Sequence, residues 1–156
     1  MMLSENLSVV EFSKSDTAKR KGIDNTPKGV HLEAAKELAK NVFQPIREHF
    51  AVPIFLSSGY RSDALNKAVG GSATSQHSKG EAIDIDMDGH KGPSNAEVFQ
   101  YIKENLNFDQ LIWEFGTKTA PDWVHVSYKK GGPQRKQILR AVRNSAGKTV
   151  YEPWKS

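Results

Sequence analysis

The stretch that most constrains the fold is residues 82–88, Ala-Ile-Asp-Ile-Asp-Met-Asp. Ile83, Ile85 and Met87 alternate with Asp84, Asp86 and Asp88, which is the period of a strand with one buried face. On such a strand Asp84 points away from the core. Just upstream lies a polar, small-residue loop, Ser75-Gln76-His77-Ser78-Lys79-Gly80. Gly80 lets that loop fold back over the strand, which carries His77 toward Asp84. An imidazole and a carboxylate so placed form half of a zinc site and need a third ligand from elsewhere.

Trp123-Val124-His125-Val126-Ser127 offers that ligand. Val124 and Val126 face one way, and Trp123, His125 and Ser127 the other. Of the five histidines, His77 and His125 are the two in or beside strand-like segments. Each residue taken singly also fits a simpler role, His125 as a hydrogen-bonded sheet histidine and Asp84 as a solvated strand carboxylate. Cysteine is absent, which excludes disulfides and Cys-based structural zinc. A zinc ion here would be held by His and carboxylate, the donor set of catalytic sites with an open position.

The joint pattern, Ser75-x-His77-x-x-Gly80-x-Ala82-x-Asp84 with Trp123-x-His125 on a later strand, resembles the zinc D-Ala-D-Ala carboxypeptidases and L-Ala-D-Glu endopeptidases of the M15 peptidases. Ser58-Gly59-Tyr60-Arg61-Ser62, followed by Leu65-Asn66 and Gly70-Gly71, fits the same group. The resemblance runs from about Phe12 to Tyr151. It implies the hedgehog/DD-peptidase fold, an α+β domain with a mostly antiparallel sheet and helices packed on one side. It also implies one zinc ion held by His77, Asp84 and His125. The family spacing from His77 selects Asp84 over Asp86.

The resemblance further implies a catalytic carboxylate at Asp122, three residues before His125, that takes a proton from the attacking water and returns it to the leaving amine. Strict alternation puts Asp122 on the face opposite His125, so this role requires an irregular start to its strand. Glu114 is the second candidate for the base. Arg61 is expected to stabilise the tetrahedral oxyanion, since a guanidinium presents a rigid fork of donors. Ser75 and Gln76 are expected to contact substrate, and Trp123 either lines the cleft or packs as a strand aromatic. The implied substrate is a peptidoglycan stem peptide. Two other classes stay open: a non-catalytic zinc-stabilised binding module of the same fold, and a basic structural or nucleic-acid-binding protein.

Composition sets the outer limits. The 156 residues suit one domain, with 37% hydrophobic and 26% charged residues. Residues 1–29 read as a lead-in to it and 152–156 as a loose tail in which Trp154 is free to pack back on the domain. The net charge of +4 agrees with an anionic partner such as the cell wall. No Walker pattern and no nucleic-acid motif is present, and no apolar run is long enough to span a bilayer. Nucleic acid and membrane are therefore not expected partners, and a monomer is expected. The first residues lack the basic and apolar regions of a secretory signal. The expectation is synthesis in the cytoplasm and action on the cell wall, as a phage lysis or virion-associated enzyme or as a bacterial enzyme exported by another route.

Along the chain, Val9, Val10 and Phe12 suggest a helical turn. Leu32 to Phe50 shows a helical apolar stripe interrupted at Pro45. Residues 52–58 suggest a strand and Ser62 the cap of a short helix. Ser94 with Glu97 forms a capping box for a helix to Leu106. Residues 109–115 and 122–128 suggest strands, and residues 137–142 and 148–151 a terminal hairpin.

Overall fold

The computed structural model describes all residues, 1–156. Its centre is a six-stranded sheet built from β3 (Leu56–Ser58), β4 (Ala82–Ile85), β5 (Gln110–Glu114), β6 (Trp123–Ser127), β7 (Gln137–Arg143) and β8 (Thr149–Pro153). The spatial order is β3-β4-β6-β5-β7-β8. Every neighbouring pair is antiparallel except β5 and β7, which run parallel. The fold is α+β, as the sequence implies, with one parallel step inside a mostly antiparallel sheet.

Alternation divides the sheet into two faces with different work. Ile83, Ile85, Leu111, Trp113, Val124 and Val126 enter one continuous core with Phe43, Val98, Phe99 and Ile102 from the helices. Burying a side chain of this size contributes roughly 1.5–3 kcal/mol, so these six positions anchor β4, β5 and β6 in register. The opposite positions, Asp84, Ile112, Glu114 and His125, are also buried, because a cavity wall and not open solvent covers that face. Asp84 therefore does point away from the core, but it is enclosed rather than solvated.

The helical stripe is divided as Pro45 requires. Helix α3 (Val30–Leu38) runs into a π-helical turn (Ala39–Phe43) and then α4 (Gln44–Phe50). The Gln44 N–H reaches back to the Ala39 carbonyl, one residue further than in an α-helix. The wider turn places Pro45 in the first turn of α4, where its missing N–H costs nothing. Helix α6 (Asn95–Asn105) has the full capping box between Ser94 and Glu97.

Four expectations need correction. The strand foreseen over residues 52–58 covers only Leu56–Ser58, since Pro53 has no N–H to give a ladder. The lead-in contains a small hairpin, β1 (Met2–Ser4) with β2 (Leu7–Ser8). It also contains two short helices, α1 (Val9–Phe12) and α2 (Asp16–Lys21), where a single turn was read. The tail is held, not loose: β8 extends to Pro153, and Trp154 packs against Phe99 and Trp113 with ring centroids 5.0 and 6.1 Å apart.

The lead-in also braces the site. Leu3, Leu7 and Phe12 belong to the core. The Tyr60 N–H donates to the Phe12 carbonyl at 2.8 Å, and Asn25 Nδ2 donates to the Tyr60 carbonyl at 2.9 Å. Asn25 Oδ1 accepts the Ser62 N–H at 2.7 Å. These bonds clamp the backbone on both sides of Arg61. Ser62 then caps α5 (Asp63–Ala68).

Candidate active site

Asp84 and His125 are direct cross-strand partners on β4 and β6. His77 comes from a 3₁₀ turn (Gln76–Lys79), and its own N–H donates to the side chain of the capping residue Ser75 at 3.3 Å. Gly80 ends that turn at φ 74° and passes so close to the His31 carbonyl that a Cβ would collide with it. This close approach lets the loop lie over β4, as Gly80 suggests in the sequence.

The ligand atoms of His77, Asp84 and His125 lie within 4.8 Å of one another. His77 Nε2 is 3.3 Å from Asp84 Oδ2, and His125 Nδ1 is 3.0 Å from Asp84 Oδ1. The outer ring nitrogens are already committed: His77 Nδ1 donates to the Gly59 carbonyl at 2.7 Å, and His125 Nε2 donates to Gln76 Oε1 at 2.7 Å. The inner nitrogens of the neutral rings are therefore acceptors, as are both Asp84 oxygens. Acceptors converging at such distances require an extra proton or a cation between them. Where protons meet that demand, burial alone would raise the Asp84 carboxyl, yet the positive charge of His77 and the hydrogen bonds then donated by both imidazoles outweigh it and hold it well below the usual carboxylate range. Two imidazoles and a carboxylate fit a zinc ion with one open position.

An open cavity of about 650 Å³ sits over these three residues. Arg61 lines it, with its Nη2 3.9 Å from Asp84 Oδ2 and its Nε donating to Ser58 Oγ at 3.2 Å. Ser75, Gln76 and Trp123 line it as well, although the Gln76 amide is bonded on both sides, to His125 and to Asp109. Phe115 follows β5 in the left-handed conformation at φ 55° and turns its ring toward Trp123, with centroids 5.5 Å apart.

The two candidate bases are placed differently. Glu114 lines the cavity and is 7% exposed. Burial, reinforced by the negative Asp84 and opposed by His125, pushes its carboxyl up to about 7. The Asp122 side chain is exposed and is not among the cavity-lining residues. Its N–H donates to the Glu114 carbonyl at 2.8 Å, and its own carbonyl accepts Asn95 Nδ2 at 3.1 Å. Asp122 thus precedes β6 with its backbone held and its side chain exposed, outside the residues that line the cavity.

Several cavity residues are not evident from the sequence. Leu139, Arg143, Thr149 and Tyr151 enter from the β7–β8 hairpin, and Arg135 from the segment before it. They are brought in by the parallel β5–β7 pairing, which no local pattern announces. Glu114 does carry a signal. With Leu111 and Trp113 in the core, Ile112 and Glu114 must share the face of His125.

A His/Asp/His group beneath an open cleft, with a buried carboxyl beside it, is the layout of a metal-dependent hydrolase. Comparison with protein families agrees: residues 5–127, well over half of the chain, match the model of Peptidase M15, and the chain belongs to that family. The match includes all three candidate ligands and both candidate bases, and it stops before β7 and β8. A search of curated proteins finds no match. No helix is long and apolar enough to cross a membrane.

Proposed function

We propose that this protein is a zinc-dependent peptidase acting on peptidoglycan stem peptides, as a D-Ala-D-Ala carboxypeptidase or an endopeptidase, with Glu114 as general base. The observation that carries the reading is the convergence of His77, Asp84 and His125 acceptors at the floor of a cavity that also holds Glu114 and Arg61. The membership in the M15 peptidases gives the substrate class its support, and the arginines on the cavity wall suit an anionic peptide.

Zinc bound by the three ligands would polarise the scissile carbonyl and lower the pKa of water. Glu114 takes the proton of the attacking water. Its burial makes it a stronger base than an exposed carboxylate and keeps the proton available for the leaving amine. Arg61, steadied by Ser58 and by clamped backbone, faces the oxygen on which negative charge develops. Ser75 and Trp123 contact the peptide on either side. Asp122, the base that the family resemblance implies, lies at the start of β6 outside the cavity lining and is the alternative that the variants below test.

The test is mass spectrometry of peptidoglycan fragments incubated with zinc-loaded protein, alongside Glu114→Gln and Asp122→Ala. Loss of a terminal D-Ala identifies a carboxypeptidase, and release of the stem from L-Ala an endopeptidase. A silent wild-type protein on several wall chemotypes overturns the reading and favours a zinc-stabilised binding module.

A further inference from the structure

Asp109 is fully buried at the start of β5, with its carboxylate tied to Arg135. Arg135 Nε donates to Oδ1 at 3.0 Å, Nη2 to Oδ2 at 2.8 Å, and the Arg135 backbone N–H to Oδ1 at 3.2 Å. One more donor reaches this carboxylate, Gln76 Nε2, 3.4 Å from Oδ2. An ionised carboxylate only accepts hydrogen bonds, so the Gln76 amide must present its NH₂ to Asp109. Its carbonyl oxygen is thereby turned toward His125 Nε2, 2.7 Å away. That nitrogen must carry a proton to complete the bond, which leaves Nδ1 as a lone pair facing Asp84.

The opposite amide orientation has the opposite result. With NH₂ toward His125, Nε2 would be the acceptor and the proton would move to Nδ1, blocking the metal side of the ring. We propose that Gln76 is a positioning residue which, oriented by the Asp109–Arg135 pair, holds His125 in the tautomer that binds metal. The proposal rests on the metal-site reading above but not on any substrate. It gives the segment after β6 a part in the metal site, because Arg135 lies outside the residues matched to the family. Partners of this kind typically alter metal affinity by about 10- to 100-fold.

The experiment has two readouts that need no peptide. The first is ¹⁵N-resolved NMR of the histidine side chains in the metal-free, full-length protein. The wild type should show His125 protonated at Nε2, and Gln76→Leu should show a mixture of tautomers. A neutral His125 ring with its single proton on Nδ1 and none on Nε2 in the wild type overturns the proposal whatever the variants do. The second is zinc affinity by competition with a chromophoric chelator. Gln76→Leu should bind zinc about 10- to 100-fold more weakly. Gln76→Glu keeps an acceptor toward Nε2 and should stay within a few-fold of wild type. If folded Gln76→Leu binds zinc as tightly as the wild type, the relay is wrong while the metal site stands. If the wild type itself does not bind zinc, both fall.

Discussion

Asp84 and His125 stand directly opposite each other on adjacent antiparallel strands, with Oδ1 3.0 Å from Nδ1. The contact holds two groups that both accept while the outer nitrogen of His125 keeps its proton and donates it in a hydrogen bond to Gln76 Oε1. A divalent cation relieves this crowding better than a single proton, because it satisfies His77 Nε2 at the same time. Zinc should therefore stabilise the fold as well as enable the chemistry. At one hundred times its dissociation constant, a ligand specific to the folded state contributes about 2.7 kcal/mol. Thermal unfolding should move upward on adding zinc and downward with a strong chelator, and Asp84→Ala should abolish the difference.

Glu114→Gln should lower kcat by about 10²- to 10⁴-fold, the usual range for a general base, while zinc content stays unchanged. Asp122→Ala should change kcat by less than about tenfold. Steady-state kinetics on both variants decides the assignment, and the reverse ranking would return the role to Asp122.

The same carboxyl makes a stability prediction for the metal-free protein. Burial raises Glu114 from 4.5 in the free side chain to about 7 in the fold. A group with a raised folded pKa favours the fold fully below its unfolded pKa, and that contribution is lost as pH rises through the folded value. Metal-free Glu114→Gln should then be more stable than wild type at pH 8 by about 3 kcal/mol. The gap should close near pH 4.5, as urea denaturation at the two pH values would show.

Asp109 works in the other direction. The side-chain hydrogen bonds from Arg135 are the main cause of a carboxyl held below the usual range, with burial opposing them. A depressed folded pKa gives stability that is present above the unfolded value and lost as pH falls through the folded one. Arg135→Ala should cost about 2 kcal/mol at pH 7, less than for a fully buried pair because the Arg135 side chain is half exposed. The cost should shrink toward pH 3 in the same denaturation series.

Arg143 extends over Phe115, its guanidinium carbon 4.5 Å from the ring centroid, at the rim of the cavity. If the proposed peptide substrate binds in this cavity, Arg143 stacked there would meet one of its carboxylates rather than the scissile bond. Arg143→Ala should raise KM about fivefold to tenfold with kcat nearly unchanged, from the loss of one exposed charge-assisted contact. Arg61→Ala should act mainly on kcat.

What the sequence by itself determined is local and periodic. The alternation of Ile83 and Ile85 with Asp84, and of Val124 and Val126 with His125, assigns faces before any pairing is known. Gly80 marks the close turn that brings in His77, Pro45 marks the break in the long helix, and Ser94 with Glu97 starts α6. Asp84 and His125 were legible because side-chain direction in a strand follows from parity alone, whereas His77 sits in a 3₁₀ turn and was marked by its spacing and by Gly80.

Only the tertiary structure decided which strands become neighbours and what fills the space above them. The different settings of Glu114 and Asp122 follow from the pairing of β5 with β6, which buries one carboxyl in the cavity and leaves the other outside its lining. The Gln76–Asp109–Arg135 chain joins residues 33 and 26 positions apart, and no periodicity relates them. The wall bearing Arg143 and Tyr151 exists because β7 lies parallel to β5. Such contacts arise from distant segments sharing one core, so their geometry appears only when the chain has closed on itself.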